Sequence, residues 1–130
     1  GSNFVDTDFP MFRLSDAYLM YAECALYGAA DKNIAASTYL NPLRKRAGLA
    51  DVSASDITEK FIIEERGREL YWEGHRRQDL IRFNRLSGSQ YVWNWKGSAN
   101  GNSLSSTINL MPIPYNQVIM NPNLKQNPGY

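Results

Sequence analysis

The segment EERGRE, residues 64–69, places five ionisable side chains within six positions. Glu65 and Glu69 are four residues apart, a spacing that makes two side chains neighbours on a helix. Two such carboxylates could act as a general acid and base, but a general acid needs a raised pKa, and neighbouring guanidinium groups depress carboxylate pKa values. Because buried charges need partners, we instead predict a structural ion-pair network that consists of Glu65, Arg66, Arg68 and Glu69.

His75 and Asp79 are also four residues apart, with Glu73 nearby, and this spacing is used by metal ligands on helices. A metal site needs three or four ligands, however, and the chain has a single histidine and a single cysteine. The sequence contains no GxSxG motif, no glycine-rich P-loop and no CxxC pair. We therefore predict no catalytic site, no metal and no cofactor.

Aromatic residues occupy every second position of the segment YVWNW. On an extended chain this spacing places the rings of Tyr91, Trp93 and Trp95 on one side. Such rings stack on the apolar faces of sugars, so the three residues are candidates for a glycan-binding platform. The alternative is that they pack down and anchor a loop rich in Ser, Gly and Asn, and we favour it because large aromatic residues mostly serve packing. We expect Trp93 or Trp95 to be mostly buried, against the helix around Tyr71 and Trp72.

The segments that position these residues have the sequence pattern of helices. Through residues 57–86 apolar residues recur at intervals of three and four, the period of a helix with one buried face. Asp56 followed by Glu59 is typical of a capping-box start. Gly74 predicts a break, with a second helix over residues 76–86. The predicted buried residues are Ile57, Phe61, Ile62, Ile63, Leu70, Tyr71, Trp72, Leu80, Ile81 and Phe83.

Two helices are predicted ahead of this stretch, over residues 15–27 and 32–47, the second capped by Asp31 and ended by Gly48. Their connection is short, so we expect them to lie antiparallel and to bury their apolar faces together. We expect Cys24, which lies on an apolar face, to be buried as a small hydrophobic residue. The predicted buried face of the first helix consists of Leu14, Tyr18, Tyr21, Ala22, Ala25 and Leu26.

The stretch ERGRELYWEGHRRQDLIRF resembles the ERR-x-EL-x-x-EGHR-x-x-DL-x-R-[WF] segment of the SusD/RagB family, the nutrient-binding lipoproteins of Gram-negative bacterial surfaces. The stretches RLSDAYLMYAEC, LNPLRKRAGL and LMPIPYNQVIMNPNLKQNPGY resemble further segments of that family, in the same order. Together they cover most of the 130 residues. The resemblance implies that the chain is the C-terminal part of a longer protein.

The fold that the resemblance implies is all-α, with tetratricopeptide-like helical hairpins and a long irregular C-terminal segment. Helix, short turn and helix within about 34 residues agree with such a unit. In the final segment, residues 115–120 are expected to form one helical turn after two prolines. The predicted single domain comprises an irregular start (1–12), a helical hairpin (13–49), a second helical pair (56–86) and a loop with an extended tail (87–130).

The implied function is non-enzymatic: capture of an oligosaccharide and its delivery to a SusC-like, TonB-dependent outer-membrane transporter. The resemblance places the full-length parent in the outer membrane at the cell surface, with its lipid anchor outside this chain. The alternative is a helical protein-interaction module that docks on another protein without contacting glycan. A formal charge of +1 argues against nucleic acid and anionic membranes as partners. Two helical pairs cannot cover all of their apolar faces, so self-association is also expected.

Overall fold

A computed structural model describes residues 8–29 and 34–130. The described residues form no strand beyond one isolated bridge between Gly88 and Leu104, so the predicted all-α fold is confirmed. None of their helices has the length and apolar character needed to cross a membrane. Two compact units make up the chain, Gly1–Arg76 and Arg77–Tyr130. The helices are α1 (Leu14–Leu26), α2 (Ala36–Arg46), α3 (Glu59–Glu69), α4 (Arg76–Arg82) and α5 (Tyr115–Met120).

The core of the first unit lies where α1 packs against both α2 and α3. Tyr21 of α1 stacks on Tyr39 of α2 with ring centroids 5.1 Å apart, which adds an aromatic contact at the edge of this core. The apolar stripe of each helix is thereby covered by a neighbouring helix. The buried apolar residues are Leu19, Ala22, Ala36, Leu40, Leu43, Ile57, Ile62, Ile63 and Leu70.

The buried face of α1 is rotated from the one that the sequence predicts. Its buried residues are Ser15, Leu19 and Ala22. Leu14 and Tyr21, which were predicted to be buried, are exposed. Cys24 is exposed as well, so its predicted burial is wrong. Because an α-helix turns by about 100° per residue, Cys24 lies roughly 200° around the helix from Ala22 and faces away from the core.

α2 ends as its sequence predicts. Gly48 adopts a left-handed conformation with φ 72°. The N–H groups of Gly48 and Leu49 donate to the carbonyl oxygens of Lys45 and Arg44, at 3.0 and 2.9 Å. These bonds satisfy carbonyl groups that would otherwise have no partner at the end of a helix. The predicted N-terminal cap, Asp31, lies outside the described residues.

α3 begins at a different residue from the one predicted. The hydroxyl oxygen of Thr58 accepts a hydrogen bond from the N–H of Phe61 at 3.2 Å, so Thr58 is the N-cap. The predicted capping box of Asp56 and Glu59 is wrong. Asp56 belongs to a short 3₁₀ turn before the helix, where its carboxylate accepts from the hydroxyl of Ser53 at 2.7 Å.

A turn around Gly74 separates α3 from α4, as predicted, although α4 ends earlier than expected, at Arg82. Trp72 and Gly74 both have positive φ, 65° and 81°. Left-handed residues redirect the chain out of the helix. Tyr71 and Trp72 consequently lie in the turn instead of on the buried face of α3, and they are 74% and 85% exposed. Their predicted burial is wrong.

The second unit consists of α4 from Arg77 onward, an irregular loop and the tail. Leu80, Phe83 and Leu86 form its buried apolar residues. Arg77 of α4 donates to the carbonyl oxygen of Ile108, which ties the helix to the tail. We call residues 87–104 the aromatic loop, since it contains the YVWNW segment.

The tail is ordered by side-chain hydrogen bonds to its backbone. The side-chain amide of Gln126 bonds both the N–H and the carbonyl oxygen of Ile113, each at 2.8 Å. This pairing imitates the hydrogen bonds of a neighbouring strand and holds the chain between the two residues as a closed loop. Within that loop α5 spans the residues at which a helical turn is predicted, and this prediction is confirmed.

Gly101 provides a test of how tightly the aromatic loop closes. Its φ is 78°, and a Cβ atom placed there would collide with the backbone carbonyl oxygen of Trp93. We expect Gly101→Ala to lower the free energy of unfolding by about 3 kcal/mol or more, because left-handed alanine costs about 1–2 kcal/mol and the backbone must also shift. The measurement is urea denaturation followed by fluorescence.

Gly88→Ala is the matched control, since Gly88 has φ 71° in the same loop but open space at its Cβ position. Its free energy of unfolding is expected to fall by about 1 kcal/mol, the conformational cost alone. Equal losses for the two variants would contradict the close approach of Gly101 to Trp93.

Candidate functional site

The aromatic loop is built around the amine of Lys96, which is 2% exposed. Its Nζ donates to the carbonyl oxygens of Arg85, Gly88 and Tyr91, at 3.3, 3.3 and 2.5 Å. An ammonium group has three hydrogens, so three carbonyl oxygens match its donor capacity. Burial lowers the pKa of Lys96 below its ordinary value. The carbonyl oxygens offset part of the cost of removing this group from water.

The backbone of Lys96 also closes the loop. Its N–H donates to the carbonyl oxygen of Trp93 at 3.1 Å, and its own carbonyl oxygen accepts from the N–H of Asn102 at 2.6 Å. The Nζ lies 5.0 Å from the centre of the Trp93 ring, within the range of a cation–π interaction. One residue therefore connects the segment after α4 with both sides of the aromatic loop.

The tryptophans are not buried by this arrangement. Trp93 is 39% exposed and Trp95 is 79% exposed. The expected packing partners, Tyr71 and Trp72, are exposed as well. The prediction that Trp93 or Trp95 is mostly buried is therefore wrong, because Lys96, and not a tryptophan, fills the interior of the loop.

The three aromatic rings do not form one flat platform either. Tyr91 and Trp93 are paired, with ring centroids 5.7 Å apart and planes inclined by 54°. Trp95 has φ 72°, whereas an alternating arrangement requires extended backbone throughout. The candidate residues thus separate into a tilted, half-covered pair and one open ring, that of Trp95.

In the first unit, Glu65 lies in an ion-pair cluster that joins two helices. Its carboxylate accepts from Arg68 on the same helix at 2.6 Å and lies 3.6 Å from Arg44 of α2. Arg44 also covers the ring of Phe61, with its guanidinium carbon 5.6 Å from the ring centroid. The Glu65 side chain is only 7% exposed, so these arginines provide the partners that its burial requires.

Glu69 is held by arginines from outside α3. Arg13, the residue before α1, approaches Glu69 at 3.2 Å and Glu73 at 2.8 Å. The hydrogen bond to Glu73 raises the pKa of the Arg13 guanidinium. Arg46 at the end of α2 donates to Glu69 at 2.7 Å. Arginines from two other segments thus meet at one carboxylate of α3.

Arg66 is the most enclosed cation of the cluster, with a side chain that is 5% exposed. Its Nη1 donates to the carboxylate of Asp16 on α1 at 2.9 Å. The four sequence candidates therefore lie together on α3, but their ion pairs extend to residues that sequence reasoning missed. The available signals were the RKR run that ends α2 and the charged residues that flank the start of α1. The missed partners are Arg13, Asp16, Arg44 and Arg46.

These charged groups are placed to pair with one another. Within residues 8–29 and 34–130, no group of three or more His, Cys, Asp or Glu is placed to hold a metal ion. Asp79, a candidate ligand by spacing, accepts from Arg82 at 3.1 Å.

A groove of about 410 Å³ lies between α1 and α2. Tyr18 and Leu43 contribute apolar walls, and Arg13 and Arg46 line it as well. Both arginines are engaged by Glu69. The groove is therefore an apolar surface bordered by charges that are already paired.

Comparison with known proteins identifies the family of this chain. The SusD family model matches residues 1–130. The starch-binding protein SusD of Bacteroides thetaiotaomicron is 42% identical over 130 residues, which cover 99% of this chain and 23% of that protein.

Solved structures agree with this match. A SusD superfamily protein from Bacteroides vulgatus superimposes with a TM-score of 0.71 at 32% identity, over 92% of this chain and 27% of that one. Surface glycan-binding protein A from Bacteroides uniformis gives 0.72 at 28% identity, over 92% and 27%. The fold is that of the helical SusD-like proteins, and the chain belongs to the SusD family. It spans about a quarter of the length of these relatives.

Arg66→Ala tests whether the ion-pair network stabilises the first unit. We expect the variant to lose about 3 kcal/mol of unfolding free energy, because Asp16 is left partly buried without this partner. Lys60→Ala is the control on the same helix: its side chain is 73% exposed, and the loss should stay below about 1 kcal/mol. Thermal unfolding measures both, and an unchanged midpoint for Arg66→Ala would show that the network is not a stabilising element.

Lys96→Met tests the interior of the aromatic loop. The substitution keeps an unbranched side chain but removes the donors to three carbonyl oxygens, and we expect a loss of about 2 kcal/mol or more. Lys125→Met, at an exposed position of the same unit, should change stability by less than about 0.5 kcal/mol. The two variants are compared by urea denaturation at neutral pH. Equal stability of Lys96→Met and Lys125→Met would show that the hydrogen bonds of Lys96 do not stabilise the aromatic loop.

Proposed function

We propose that this chain is the C-terminal part of a longer, lipid-anchored protein that binds an oligosaccharide at the outer surface of the outer membrane. The observation that carries the proposal is the match of the SusD family model to residues 1–130. Two similar proteins support glycan as the ligand class: one is a starch-binding protein and another a surface glycan-binding protein. The relatives are about four times longer than the chain, which supports a longer parent.

The proposal includes delivery of the bound oligosaccharide to a SusC-like, TonB-dependent transporter. Family membership supports this step. A role without catalysis is supported by the state of the acidic residues on α3: Glu65 and Glu69 are occupied by arginines, whereas hydrolysis of a glycoside needs two carboxyl groups that face the sugar.

A second candidate function is docking on another protein without glycan contact. The tail favours it, because residues 107–124 contain no charged side chain and several of their apolar residues are open to solvent. Uncharged apolar surface of this kind marks protein contacts, including those with another copy of the chain. The exposed residues are Leu110, Met111, Tyr115, Ile119, Met120 and Leu124.

Affinity electrophoresis tests the glycan proposal. The full-length polypeptide that contains this chain is run in native gels that hold soluble starch, xylan, mannan or pectin, one at a time, beside serum albumin as a non-binding reference. We expect at least one polysaccharide to retard the polypeptide relative to a gel without polysaccharide. Unchanged mobility in all four gels would contradict glycan binding and favour the protein-docking function.

A further inference from the structure

We propose that Trp95 is a contact for the apolar face of a neutral sugar ring, and that Lys96 is the positioning residue that holds the aromatic loop in the shape that presents it. This inference rests on the proposed glycan-binding function and adds a site and a ligand class to it. It differs from a platform of three rings, because only the ring of Trp95 is largely open.

Trp95 is exposed and its backbone is strained. The residue is 79% exposed, so its indole gains little from packing within the chain. Its φ of 72° lies in the left-handed region, which is unfavourable for a residue with a Cβ atom. A glycine at this position would relieve the strain without losing a buried contact. Backbone strain that is not offset by local packing is found preferentially at binding sites.

The aromatic loop is held in one conformation without a ligand. The ammonium of Lys96 holds three carbonyl oxygens on its inner side. Gly101 approaches the backbone of Trp93 more closely than any other residue type would allow. Gly88 donates to the carbonyl oxygen of Leu104 at 2.8 Å and closes the ends of the loop. A ring that is already in place is not ordered on binding, which favours affinity.

The charge and polarity of the aromatic loop favour a neutral ligand. Lys96 is the only charged residue in the aromatic loop, and its charge is buried. The exposed polar side chains of the same loop include the amides of Asn94, Asn100 and Asn102. Amides donate and accept hydrogen bonds to hydroxyl groups, and an indole face covers the C–H groups of a pyranose. This combination suits a neutral oligosaccharide, because the one cation of the aromatic loop is buried.

Trp72 provides a matched control in the same chain. It is also largely exposed, at 85%, and also left-handed, with φ 65°. Its surroundings in sequence differ, because it lies between the acidic residues Glu69 and Glu73, which both pair with Arg13. Replacing either tryptophan with glycine removes an exposed indole and a strained backbone conformation together.

The experiment compares Trp95→Gly and Trp72→Gly in the full-length polypeptide, in gels of soluble starch, xylan, mannan and pectin. Both variants should unfold at a higher temperature than the unsubstituted protein, because both lose strain. Trp95→Gly should bind the retarding neutral polysaccharide roughly tenfold more weakly, a typical loss for one stacking ring. Trp72→Gly should bind it with unchanged affinity.

The positioning role of Lys96 needs a readout that stability alone does not change. In a Trp72→Phe, Trp93→Phe background of the 130-residue chain, Trp95 is the only tryptophan. We expect high acrylamide quenching with high anisotropy, the signature of an exposed but fixed ring. Lys96→Met should lower the anisotropy well below the unfolding temperature and, in the full-length polypeptide, weaken binding as Trp95→Gly does. A purely structural lysine would lower only the unfolding temperature.

The outcomes separate this site from the proposed function. Retardation of the unsubstituted protein with unchanged binding by Trp95→Gly overturns the site and leaves glycan binding in place. Retardation in no gel overturns both. A lower unfolding temperature for Trp95→Gly, or retardation by pectin alone, also overturns the inference, since the first makes Trp95 a packing residue and the second requires an acidic ligand.

Discussion

A charged group that leaves water must receive partners, and this constraint shapes both units of the chain. In the first unit it is met by ion pairs between helices, as between Arg66 and Asp16. In the second it is met by backbone, where the ammonium of Lys96 gathers three carbonyl oxygens. A buried charge without partners would cost several kcal/mol, so each arrangement restricts the conformations that the surrounding chain can adopt.

Pairing by ion pairs and pairing by backbone carbonyl oxygens have different consequences for function. Ion pairs between α2 and α3 engage Glu65 and Glu69, which leaves those carboxylates suited to holding helices together. The hydrogen bonds of Lys96 instead order the aromatic loop, which is rich in Ser, Gly and Asn and has little apolar surface to bury. Because the interior of the aromatic loop is filled by Lys96, the indole of Trp95 remains outside. Because Lys96 holds the loop together, the Trp95 side chain is available for contact with a ligand.

Local signals in the sequence located the helices and the packing of the first two helices on each other, whereas most other tertiary contacts were missed. The period of three and four residues located the helices, and Gly74 located the break, because both depend on near neighbours. The partners of Glu69 come from segments 23 and 56 residues away in sequence, which no helical spacing reveals. The prediction that three aromatic rings lie on one side assumed extended backbone. Trp95 is instead left-handed, so the prediction does not hold. Lys96 was missed because a lysine in a polar loop is ordinarily solvated.

A crystal structure of the full-length polypeptide with a bound neutral oligosaccharide would test the central claim most directly. The account predicts a pyranose ring within van der Waals contact of the Trp95 indole, and the Lys96 amine still bonded to the carbonyl oxygens of Arg85, Gly88 and Tyr91. An oligosaccharide bound elsewhere, with the Trp95 ring covered by another part of the polypeptide, would contradict it.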